Sequence, residues 1–177
     1  MKKSSPQHID IRIDKLTNSI VNTISGDSFL TEVTRVSTSD IKRMNNTQLW
    51  QFDWHQEVLQ KQREVVKLYI QGNPRIIQGL ASISNEHDHF HVHLIESAPF
   101  NIGKHKLYEG VPGNLFAYAC KRSLDNGYDG IVAFISKTAL KKHYENVLGA
   151  TPIGGQRMVL FPPASHKLIK KYYTSEI

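Results

Sequence analysis

A chain of 177 residues with 40% apolar and 21% charged side chains has the size and balance of one folded domain with its own core. The single cysteine, Cys120, excludes an intrachain disulfide and a Cys-based zinc motif, and no stretch approaches the apolar length needed to cross a bilayer. The formal net charge of +6 admits a phosphate-bearing ligand or a nucleic acid as partner, yet the positive residues are spread along the chain. The densest run, HKLIKKYY at 166–173, reads as a solvated tail helix rather than a nucleic-acid arm. The two N-terminal lysines have no apolar run behind them, so they are not read as a secretory signal, and a cytoplasmic protein is expected.

In chain order, HIDIRID (8–14) alternates Ile9, Ile11 and Ile13 with polar residues, the period of a strand. Residues 15–47 are polar, with short apolar pieces SIVNTI and FLTEV, and TSDIKRMN predicts a short helix capped by Thr38, Ser39 or Asp40. LWQFDWHQ places Trp50, Phe52 and Trp54 at period two. That spacing predicts packing on a sheet face over stacking on a nucleobase. REVVKLYIQ (63–71), RIIQGLASIS (75–84) and HFHVHLIES (89–97) are separated by turn clusters and predict an antiparallel meander ended by Pro99.

A helix is predicted over 114–126 with a stop at Gly127. GIVAFIS (130–136) reads as a strand covered on both faces. A helix over 139–148 ends at Gly149, and QRMVLF and a short basic helix follow Gly154-Gly155. The order predicts an α/β fold with a mixed, mainly antiparallel sheet and flanking helices. One domain over 1–177 is expected, with an ambiguous pattern in the N-terminal portion 1–62.

The Gly-rich turn Gly110-Val111-Pro112-Gly113-Asn114-Leu115 opens a helix, where unpaired backbone N–H groups and the helix dipole favour an anion. With the preceding IESAP and the later HYENVLGA, it resembles the GNAT superfamily of N-acetyltransferases over about residues 63–162. That family holds acetyl-CoA on a loop of pattern Q/R-x-x-G-x-G/A-x-x-L. Gly110 matches its first glycine and Leu115 its leucine. Leu107 stands at the usual Gln/Arg position, and Pro112 takes the place of a small residue and lacks an N–H. Pro112 is still comfortable in a first helical turn, and Gly113 leaves room for close backbone approach.

The resemblance implies a GNAT-type fold, acetyl-CoA as co-substrate and an amine acceptor that the sequence does not name. It implies that Ile95, Gly110, Val111, Pro112, Gly113, Asn114 and Leu115 bind the cofactor. By motif position Tyr144 is the acid that protonates the departing thiolate; the alternative is an aromatic packing its helix onto the sheet. Glu96 is the base candidate, at the end of a stripe Phe90, Val92, Leu94, Glu96; the alternative is a solvated strand end. His87, His89, His91 and His93 alternate, but same-face neighbours about 6.5–7 Å apart are wide for one zinc, and no metal is expected. Cys120 reads as a small core residue. A GNAT-shaped binding module without catalysis is the second reading, favoured by Leu107 and Pro112. A basic nucleic-acid-binding protein is the third, with no motif of that class behind it. No membrane partner is expected, and the sequence leaves a homodimer open.

Overall fold

The computed structural model describes residues 8–47 and 49–173, so the expected span of 1–177 reaches past it at both ends. β1 (Ser19–Asn22) and β2 (Ser28–Arg35) form a hairpin whose turn is tied by Asn22, its Oδ1 accepting the N–H groups of Ile24 and Ser25. α1 (Thr38–Thr47) is opened by Ser37 and not by the three residues the sequence suggested. Asp40 N–H donates to Ser37 Oγ at 3.1 Å and Ser37 N–H to Asp40 Oδ2 at 2.9 Å, a reciprocal pair that satisfies two helix-end donors at once. LWQFDWHQ forms no extended strand. Asp53 accepts the Gln56 N–H at 3.2 Å and caps a short helix, α2 (Trp54–Val58). Trp50, Phe52 and Trp54 are buried all the same, so the packing expectation holds while the period-two strand does not.

β3 (Glu64–Ile70), β4 (Gly79–Asn85) and β5 (Phe90–Ser97) form the predicted meander, with β4 starting later than expected. After a single helical turn at Pro99–Asn101 come β6 (Tyr108–Glu109) and α3 (Val111–Asp125). α3 starts at Val111 instead of Asn114, because Gly110 at φ 103° turns the chain and Pro112 costs nothing in a first turn. β7 (Val132–Ile135), α4 (Lys141–Leu148), β8 (Thr151–Gly154), β9 (Arg157–Leu160) and α5 (Pro162–Tyr172) complete the chain; β8 carried no sequence signal.

The nine strands run in the order β6-β1-β2-β3-β4-β5-β7-β9-β8. The β5–β7 pair is parallel and the other named pairs are antiparallel. This is the mixed, mainly antiparallel α/β architecture that the element order predicted. Residues 8–14 do not become a strand, however; they join the sheet through one parallel bridge, Ile9 to Ser136.

Both sheet faces are covered. On one, α3, α4 and α5 pack over Val66, Ala81, Phe90, Val92 and Ile95, with the rings of Phe116, Phe134 and Tyr144 in mutual contact. Burying a side chain such as Phe116 contributes roughly 1.5–3 kcal/mol. On the other, Ile41, Met44, Trp50, Phe52 and Trp54 pack on Leu80 and Leu94.

A bulge in β5 decides which residues face where. Leu94 pairs with Ser82 and Val92 with Ile83, so His93 is one residue extra. The extra residue inverts the alternation: Phe90 and Val92 share a core with Ile95, whereas Leu94 lies in the opposite one. The single stripe Phe90, Val92, Leu94, Glu96 expected from strict alternation is therefore broken at His93.

Candidate functional site

β5 and β7 pair only at Phe90–Val132, His91–Ala133 and Val92–Phe134. β5 continues beside β4 to Ser97, so beyond Val92 the two parallel strands part, next to the bulge. The next stretch of β7 edge is taken by the chain's own N-terminal segment. Ile9 N–H donates to Ile135 O at 2.6 Å, and Lys137 N–H donates to Ile9 O at 3.0 Å.

From there the segment runs past α4 to the start of α3. The Tyr144 hydroxyl donates to Ile11 O, and Ile13 N–H donates to His143 Nε2 at 2.8 Å. The Asp14 carboxylate accepts the Gly110 N–H at 3.1 Å and pairs with Lys106 Nζ at 3.0 Å. Thr17 N–H donates to the Tyr172 hydroxyl at 2.9 Å. Ile9 and Ile13 are buried in the helical-face core.

The residues expected to bind a cofactor divide by where they point. Gly110 presents its N–H outward, to Asp14. A Cβ on Gly113 would lie 2.5 Å from the Tyr172 hydroxyl and 3.1 Å from Lys15 O, so the segment and α5 cover the helix start. Val111 and Leu115 turn into the core: a Cβ on Gly79 would meet Val111 Cγ1 at 2.4 Å and Leu115 Cδ1 at 3.4 Å. Ile95 is buried in the same core, and Pro112 is buried in the first turn of α3. Asn114 stitches the helix to the β1–β2 hairpin. Its Nδ2 donates to Gly110 O, Thr17 O and Ser19 O, and its Oδ1 accepts from Thr31 Oγ1 at 3.0 Å.

Tyr144 is fully buried, against Phe116 and Phe134, and burial raises its phenol well above the usual range, so the proton stays on at neutral pH. Its ring packs the core while its hydroxyl donates to Ile11 O. Glu96 is buried and its carboxylate is engaged at both oxygens. Oε2 accepts the Gln51 N–H at 2.7 Å, and Oε1 accepts the Phe52 N–H at 3.2 Å and the Trp54 Nε1–H at 2.8 Å. It is not the solvated strand end of the alternative reading. Its bonds anchor the aromatic segment before α2.

Across the sheet from the N-terminal segment lies a cavity of about 630 Å³ bordered by Glu86, His91, His93, Arg157 and Phe161. The two imidazoles lie with centroids 4.5 Å apart and planes tilted by 47°. Ser84 Oγ donates to Glu86 Oε1 at 2.5 Å, which leaves it to accept from His93 Nε2–H at 2.7 Å. Burial pushes both rings down to about 4, so both are neutral at pH 7. Cys120 is buried inside α3 and its thiol is pushed up to about 12 by burial, which leaves it inert as a nucleophile at neutral pH. No group of three metal-ligating side chains with suitable geometry exists among the described residues.

Sequence reasoning missed Asp14, His143 and Tyr172. The alternating isoleucines of HIDIRID were visible, but nothing local says that the segment docks at the gap between β5 and β7.

No family model matches the chain. No curated protein sequence matches it either. Among solved structures, a substituted form of the spermidine/spermine N-acetyltransferase SpeG from Vibrio cholerae aligns with a TM-score of 0.51 at 15% identity, over 77% of this chain and 96% of that one. A chimera of the Vibrio cholerae spermidine N-acetyltransferase SpeG with hSSAT also gives 0.51, at 13% identity over 77% and 98%. Taken with the parting of β5 and β7, the bulge beside it and the αL glycine that opens α3, these likenesses show that the chain has the GNAT acetyltransferase fold.

Proposed function

We propose that the protein is an N-acetyltransferase that moves the acetyl group of acetyl-CoA to an amine by direct attack. The observation that carries the reading is the buried Tyr144 hydroxyl, which donates to Ile11 O in the segment that runs from the β7 edge to the start of α3. Gly110 N–H, Lys106 and the α3 N-terminus supply positive partners for the diphosphate. The amine nitrogen attacks the thioester carbon, the carbon–sulfur bond breaks, and Tyr144 gives its proton to the leaving thiolate. The proton of the amine goes to water, since His91 and His93, pushed down to about 4 by burial, hold a proton poorly at neutral pH. Glu96 is not given the base role, because three N–H donors already hold it. A cytoplasmic protein with a single domain fits this reading. Among the described residues no helix is long and apolar enough to cross a membrane.

A second reading, a GNAT-shaped module without catalysis, is favoured by the N-terminal segment lying where the thioester would enter. Thiol release from acetyl-CoA, measured against a panel of amines that includes polyamines, separates the two. Turnover with one acceptor is expected. Tyr144→Phe should lower kcat by ~10²–10⁴-fold, the usual worth of a general acid, without lowering acetyl-CoA affinity. Failure of every acceptor, together with absence of acetyl-CoA binding at millimolar ligand, would establish the second reading.

A further inference from the structure

We propose that residues 8–17 are an autoinhibitory strap that imitates the cofactor and must leave the cleft before acyl-CoA can bind; the proposal rests on the acetyltransferase reading above. Three contacts carry it. The strap takes the β7 edge at Ile135 and Lys137, immediately past the point where β5 departs. It gives the Tyr144 hydroxyl a carbonyl acceptor at Ile11. It then sets the Asp14 carboxylate on the Gly110 N–H and on Lys106, an anion at the positive end of a 15-residue helix. A diphosphate would seek the same N–H and the same ammonium group. Asp14 and the diphosphate therefore compete for one pair of donors, and the Tyr144 proton is engaged by Ile11 until the strap moves.

The docking is of a kind that can be undone. One isolated bridge joins the strap to the sheet, and Asp10, Arg12 and Lys15 lie on its exposed side. Ile9 and Ile13 are its two buried anchors. A ligand that binds only the strap-free state has its affinity reduced by the fraction of molecules in that state. Weakening the strap raises the affinity without touching the ligand's own contacts.

The test combines hydrogen exchange of the whole protein, with and without CoA, and calorimetric CoA binding to the wild type and to Asp14→Ala. CoA is expected to speed exchange in peptides covering 8–17 by roughly tenfold or more while α3 stays protected. Asp14→Ala is expected to bind CoA roughly tenfold tighter, since the closed state alone loses a charge-assisted hydrogen bond. Wild-type CoA binding with 8–17 as protected as before, and no gain in Asp14→Ala, would overturn the strap and leave the acetyltransferase reading standing. If neither protein binds CoA at millimolar concentration, both proposals fall. Should Asp14→Ala not fold, the wild-type exchange pattern decides by itself.

Discussion

The indole Nε1–H of Trp54 donates to Glu96 Oε1 at 2.8 Å, joining the start of α2 to the end of β5 across 42 residues of chain. The same carboxylate accepts the backbone N–H groups of Gln51 and Phe52. A carboxylate is acceptor-only and offers enough lone pairs for all three donors. This is why the aromatic cluster of Trp50, Phe52 and Trp54 can sit on Leu94 without forming a strand.

Glu96→Gln is therefore expected to act on stability. A glutamine amide keeps one acceptor oxygen and turns an NH₂ group toward the remaining donors, so at least one buried N–H is left without a partner. The cost should be about 1.5–3 kcal/mol, read as a lower urea midpoint at pH 7. An unchanged midpoint with a displaced pH–rate profile would restore Glu96 as the catalytic base.

The neighbouring His91 and His93 make stability depend on pH above the carboxylate range. Their folded values near 4 lie below the ordinary 6.5 because burial disfavours the charged ring. Glu86 opposes this, whereas His89, Arg63 and Arg157 add to it. The unfolded chain thus binds more protons between pH 6.5 and 4, and stability is full above about 6.5 and falls as the pH drops toward 4. Each pKa unit is worth about 1.4 kcal/mol, which is an upper bound here because both rings keep some access to solvent. Denaturant midpoints at pH 7.0, 5.5 and 4.5 should fall in that order, and His93→Asn should flatten the slope. Equal midpoints across this window would show that the pair titrates as it does in water.

Gly79 carries the approach of β4 to α3. A Cβ there would sit 2.4 Å from Val111 Cγ1 and 3.3 Å from the backbone O of Glu96, so an added methyl must push the helix or the strand aside. Gly79→Ala should cost about 1–3 kcal/mol, the usual penalty of overpacking, and lower the thermal midpoint. On the acetyltransferase proposal, the displaced α3 start should also weaken CoA binding. A variant as stable as the parent would mean that Val111 repacks freely.

The meander, the helices of residues 111–125 and 141–148 and the strand at 132–135 were legible because local patterns write them. Turn clusters separate the strands, a glycine stops the second helix, and an unbroken apolar run marks the strand, although its Ala133 and Ile135 side is only half-buried and lines the cavity beside His91. The bulge at His93 was not legible, since alternation continues through it in the sequence and only pairing with Ser82 and Ile83 reveals the extra residue. That one residue moves Leu94 to the other core and so misled the reading of the stripe ending at Glu96. The segment 8–14 kept its strand-like alternation and buried Ile9 and Ile13 as that pattern implies. What it pairs with was decided by the tertiary structure alone: a gap between two strands far along the chain left backbone groups at Ile135 and Lys137 and a helix start at Gly110 in need of partners. Sequence patterns report which side of an element is apolar; they carry no record of which distant polar groups remain unsatisfied once the sheet has formed.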